Sequence, residues 1–165
     1  MTFVADIAPR SHDSRAPYIG TNSVTAGSLP MGDMRRPEND LSRLVLQPVL
    51  DRLAALRGFQ SNWNGRGGQA ASRHLLSHAE YLIGNYYQAS ASTGFGWSNP
   101  VLNLDEDGGL VLEWWRGLKK FTLYLAPAEK PRFVRVWGDD IDTEMDDGTL
   151  AEVDDFAELW VFLNS

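Results

Sequence analysis

Two imidazoles four residues apart, His74 and His78, are the first pair in this chain whose types and spacing could do chemistry. On a helix they project to one side, an arrangement that can hold a zinc ion. The intervening residues are Leu75, Leu76 and Ser77, so the glutamate that a helical zinc protease places beside its first histidine is missing. With no third ligand in the spacing, two solvated histidines on a polar helix face are the plainer reading. A second group, Asp142, Glu144 and Asp146, alternates like the start of a calcium loop. Its sixth position is Asp147 where glycine is needed, and its twelfth is Val153 where a bidentate glutamate is needed, which rejects an EF-hand. Gly65-Arg66-Gly67-Gly68 ahead of a helix could cradle a phosphate. A helix precedes it, not a strand, and no Gly-Lys-Ser/Thr ending follows, so a structural turn fits better. There is no Gly-x-Ser-x-Gly elbow for a serine nucleophile. The absence of cysteine removes disulfides, thiolate metal sites and thiol nucleophiles. These features do not converge on a catalytic centre, and neither cofactor nor metal is expected.

Charge is the stronger signal. The 165 residues carry a net charge of −7, unevenly spread. Residues 1–40 sum to −1, residues 41–137 to +4, and residues 138–165 hold ten acidic side chains and no basic one. Such a balance disfavours nucleic-acid binding, where phosphate contacts supply most of the affinity. Asp139, Asp140, Asp142, Glu144, Asp146 and Asp147 form a dense acidic run, part of a segment from 139 to 155. It has three readings: a solvated loop, a strap across the basic body of its own chain, or a surface that occupies a basic partner. The chain opens with an acidic residue and a proline where a signal peptide needs a basic end and an apolar run. No stretch approaches the roughly 20 apolar residues of a membrane span. A cytoplasmic protein with no membrane partner is expected.

The elements that position these groups are legible from periodicity. Residues 1–40, rich in Pro, Gly, Ser and Thr, read as a flexible N-terminal arm. A single domain over 41–165 follows. Leu41, Leu44, Val45, Pro48, Leu53 and Leu56 approximate one helical face ending at Gly58, with Pro48 either kinking the helix or starting it. Ser61-Asn62-Trp63-Asn64-Gly65-Arg66-Gly67-Gly68 is a turn, with Trp63 expected inside and Arg66 outside. Ser72 caps a second helix, whose apolar face is Leu75, Leu76, Ala79, Leu82, Ile83, Tyr86 and Tyr87. From Pro100 the period shifts to two. Strands are expected at 101–104, 110–115, 121–125 and 133–137, the first two joined by the Asp107-Gly108 hairpin. Phe156, Leu159, Trp160 and Leu163 mark a short C-terminal helix capped by Asp154 or Asp155. The expected fold is α+β: two helices on a four-stranded antiparallel meander.

Asn62-Trp63-Asn64-Gly65-Arg66-Gly67-Gly68, followed by Pro100-Val101, Asp107-Gly108-Gly109 and Leu112-Glu113-Trp114, resembles a group of small uncharacterised bacterial proteins with an Asn-Trp-Asp-Gly-x-Gly-Ala turn and an Asp-Gly-Gly…Glu-Trp hairpin. The resemblance spans roughly residues 45–137, with Asn64 in place of Asp and Gly68 in place of Ala. It implies a fold and a bacterial origin, assigns no catalytic residues, and points towards mobile or defence-linked roles. The expected function is therefore a non-catalytic protein that binds another protein with a basic surface, of the antitoxin, immunity or defence-modulator kind. Asp139, Asp140, Asp142, Glu144, Asp146, Asp147 and Arg66 are its candidate contact residues. A small metal-assisted enzyme using His74 and His78, and a structural or assembly protein, are the alternatives.

Overall fold

The computed structural model describes residues 37–140 and 142–165; the expected N-terminal arm lies, up to residue 36, outside the described residues. Eight elements follow in chain order: α1 (Pro37–Leu56), α2 (Arg73–Ser92), β1 (Val101–Leu104), β2 (Leu110–Arg116), β3 (Lys119–Leu125), β4 (Arg132–Val136), β5 (Met145–Thr149) and α3 (Val153–Asn164). The fold is α+β, and its sheet has five strands, not the four expected, in the order β1-β2-β3-β4-β5, every pair antiparallel. The extra strand is Met145-Asp146-Asp147-Gly148-Thr149, whose acidic residues and glycine carry little intrinsic strand preference. Its order comes from the ladder to β4 and from Arg135, which grips Asp146 through Nη2 at 2.6 Å and Nε at 3.0 Å.

α1 runs unbroken through Pro48, which faces solvent, as does Leu44, whose carbonyl has no N–H to accept from at the proline. The buried stripe is Leu46, Val49, Leu53 and Leu56, about one residue round from the expected face. Leu41 and Leu44, expected inside, stand 65% and 70% exposed. α2 begins as its sequence predicts, with Ser72 Oγ accepting the Leu75 N–H at 3.1 Å, and buries all but the last residue of the expected face. In α3 the cap is Glu152 rather than Asp154 or Asp155; Asp155 instead reaches back to accept the N–H groups of Ala151 and Glu152.

The helices cover one face of the sheet. Alternation sends Leu102, Leu104, Leu110, Leu112, Trp114, Phe121, Leu123 and Leu125 into the core. α3 lies across β2 and β3 and along α2, and α1 packs beside β1. Phe156 is the hub of the interior. Its ring stacks on Tyr86 at 4.3 Å between centroids and meets Trp114, Phe121 and Trp160 within 6 Å. The far end of α3 is tied to the sheet by Lys119, which donates to the carbonyls of Phe162 and Ser165, a cation where the helix dipole favours one.

The turn between α1 and α2 differs from expectation at Trp63, which is 37% exposed. Its ring rests on Phe59, and its Nε1 donates to the Gln69 carbonyl. The turn closes through two asparagines. Asn64 Oδ1 accepts from the Arg66 and Gly68 amides, and Asn62, with φ of 66°, accepts from Gly67. Gln69 then donates to the Glu106 carbonyl, clamping the turn against the β1–β2 loop.

Candidate functional site

The acidic run becomes a built hairpin between β4 and β5. Asp139, Asp140 and Asp142 are exposed at its tip. The tip folds on itself: Glu144 Oε2 accepts the Asp140 N–H at 2.9 Å, and Asp140 Oδ1 accepts the Asp142 N–H at 3.1 Å. Two of the six expected contact carboxylates are thus partly committed to holding the loop. Asp146 is held by Arg135 on the helix-covered side. Asp147 is exposed on the other side and pairs with no cation among the described residues. Among the described residues, the ion pair that joins this segment to a basic side chain of the body is Arg135–Asp146.

Arg66 is exposed in the α1–α2 turn, which is clamped to the β1–β2 loop. The meander puts that loop and the β4–β5 tip at opposite ends and opposite edges of the sheet. Arg66 and the carboxylates therefore do not share a site. His74 and His78 are exposed at the start of α2 and line a hollow of about 110 Å³ with Ala126, Pro127, Ala128 and Glu129. Among the described residues no group of three or more His, Asp or Glu side chains could hold a metal ion. A hollow of about 310 Å³ lies between α1 and the end of α2, lined by Val45, Tyr87, Ser90, Ala91, Phe95, Gly96 and Trp97. It holds no carboxylate, imidazole or cation, and so no pair of groups for acid–base work.

A third surface was hidden in the strand alternation. The sheet face turned away from the helices carries Val101, Val111, Trp115, Tyr124, Val134, Val136 and Met145, interspersed by the register with Asn103, Glu113, Lys120, Thr122, Arg132, Asp147 and Thr149. No described helix covers it, and Trp115 is 48% exposed. Lys120 lies over the Trp115 ring at 5.3 Å and pairs with Glu113 in the next row. Trp115, Tyr124, Met145 and Arg132 on this face are of types enriched in protein-binding surfaces, while Glu113, Lys120 and Asp147 are of types depleted there. The sequence signal was present, since Trp115 and Tyr124 occupy outward positions where a solvated sheet face would be polar. Met145 and Asp147 join this face to the acidic hairpin.

Among the described residues, the most perturbed titrating group lies inside. Burial pushes the Tyr86 phenol well above the ordinary tyrosine value, and the Asp155 carboxylate adds to the rise. Tyr86 sits under the Phe156 ring, and that position fits a packing role. No described helix is long and apolar enough to cross a membrane. Comparison with known protein families, with curated proteins and with solved structures returns no match.

Proposed function

We propose that this chain is a non-catalytic bacterial protein that works by binding another protein, of the antitoxin, immunity or defence-modulator kind. Its docking site would be the acidic β4–β5 hairpin together with the adjoining open sheet face. The observation that carries this reading is the continuity of the two surfaces at Met145 and Asp147. A contact area of mixed aromatic, aliphatic and polar side chains with an acidic margin suits a partner with a basic surface, because charge of one sign steers the encounter and apolar contact holds it. The resemblance to small bacterial proteins with the Asn-Trp-Asp-Gly turn supports the bacterial setting. The enzyme alternative has less behind it, since the two histidines lack a third ligand among the described residues.

Deleting residues 138–165 is not a usable test, because it removes β5 and the buried Phe156, Leu159, Trp160 and Leu163. Neutralising the exposed carboxylates is. The full chain and its Asp139→Asn, Asp140→Asn, Asp142→Asn, Asp147→Asn variant would be immobilised and exposed to bacterial lysate at low salt. A protein retained by the first and lost from the second, and released by added salt, supports the reading. Identical retention by both would sink it.

A further inference from the structure

We propose that β5 accepts an extended, lysine- or arginine-bearing segment of a partner protein as a sixth strand of the sheet. The inference rests on the protein-binding reading above and specifies how the acidic hairpin would engage its partner.

The two edges of the sheet are treated differently. At the β1 edge, Arg52 Nε donates to the outward Leu102 carbonyl at 3.1 Å, and α1 packs alongside. At the β5 edge the ladder can be followed residue by residue. Trp137 N–H bonds the Glu144 carbonyl, and Leu150 N–H bonds the Pro131 carbonyl, so the bonded pairs between them are Arg135–Asp146 and Phe133–Gly148. Met145, Asp147 and Thr149 therefore aim their N–H and C=O groups away from β4, and all three residues are exposed. Among the described residues nothing bonds to these groups. Such a row is a template for main-chain pairing by an added strand.

The side chains around the row select the occupant. Gly148 faces the helix side and has no side chain; a Cβ there would stand 2.8 Å from the Phe133 ring. Below the same edge is a cleft of about 200 Å³ lined by Phe133, Arg135, Thr149, Asp155, Glu158 and Leu159. A residue of the added strand opposite Gly148 points over that cleft. A lysine or arginine there lays its apolar stem on Phe133 and Leu159 and brings its charge to Glu158 and Asp155, while Arg135, the cation in the same lining, is paired with Asp146. On the open face, the neighbouring positions lie beside Asp147 and Met145. A second copy of this chain is a poor occupant, since two β5 edges side by side would oppose their own carboxylates. A nucleic acid backbone meets the same repulsion.

The probe is a terminally blocked ten-residue peptide of alternating lysine and valine, titrated into the full chain at low salt. Bound peptide should slow amide hydrogen exchange at Met145, Asp147 and Thr149 at least tenfold. Two variants separate charge from strand pairing. Asp147→Asn removes one carboxylate and should weaken binding a few-fold. Asp147→Pro also removes the outward N–H, which makes no bond to β4, and should weaken binding at least tenfold more; edge strands accept proline at such positions. Equal affinity of the two variants, with exchange at the three amides unchanged in the unsubstituted chain, overturns strand addition and leaves the acidic docking reading standing. No binding of the peptide at millimolar concentration also overturns it, whatever the lysate experiment returns. The exchange measurement needs no variant, so the proposal stays testable if Asp147→Pro folds poorly.

Discussion

Phe156→Ala is the most informative single perturbation of this fold. The ring is fully buried and meets five other aromatic rings, Trp97 and one each from α2, β2, β3 and α3. Removing a buried phenylalanine side chain costs about 3–5 kcal/mol, from lost transfer energy plus the cavity left behind. The upper half of that range applies here, because each aromatic contact adds about 0.5–1.5 kcal/mol beyond area burial. Total stability of a natural domain is about 5–15 kcal/mol, so the variant should remain folded but sit near the margin. With a urea slope of roughly 2 kcal/mol per M, a loss of about 4 kcal/mol lowers the unfolding midpoint by about 2 M. The assay is urea denaturation followed by tryptophan fluorescence and far-ultraviolet circular dichroism. Phe156→Leu keeps most of the volume and should lose about 1.5 kcal/mol. A loss below about 1.5 kcal/mol for the alanine variant would refute the reasoning, since it would mean that α3 is not docked through this ring.

The remaining predictions concern titration and local geometry. The buried Tyr86 phenol keeps its proton at a pH where the unfolded chain, titrating near the ordinary value of about 10, has lost it. The unfolded state then binds fewer protons, so stability should fall by up to about 1.4 kcal/mol per pH unit above pH of about 10. Tyr86→Phe should flatten that decline in urea melts run from pH 8 to 11.5, and an unchanged slope would contradict the assignment. Gly68→Ala would place a Cβ 2.8 Å from Trp63 Nε1 and should destabilise the chain by about 1–3 kcal/mol in the same assay. Ser72→Ala removes the α2 cap and should cost about 1 kcal/mol, with helicity of the early α2 residues reduced by NMR chemical shifts.

The acidic segment forms the tip of the β4–β5 hairpin and the strand β5. Its carboxylates fall into three environments: a self-bonded loop tip around Asp140 and Glu144, an ion pair at Asp146, and an open position at Asp147. Salt-bridge energies at such half-exposed sites are about 0–1 kcal/mol, so the Arg135–Asp146 pair sets register more than it adds stability. The dense negative charge on an edge strand also hinders pairing between copies.

What the sequence determined by itself is the local part. Ser72, the Asp107-Gly108 hairpin and the alternation of β1 and β2 act through neighbours within a few residues, so they are legible without a fold. The stripe of Phe156, Leu159, Trp160 and Leu163 is likewise a local period, and all four are buried as expected. The tertiary structure decided the rest. The face of α1 that turns inward depends on where β1 and α2 lie, so Leu46 and Val49 are buried while Leu41 and Leu44 are not. Trp63 is half outside because the turn is closed by Asn62 and Asn64 rather than by packing under the helices. β5 exists because β4 offers it a ladder and a cation, neither of which is written in Met145-Asp146-Asp147-Gly148-Thr149. The separation of Arg66 from the acidic hairpin, and the union of that hairpin with the open aromatic face, follow from strand order, and strand order is a property of the whole sheet.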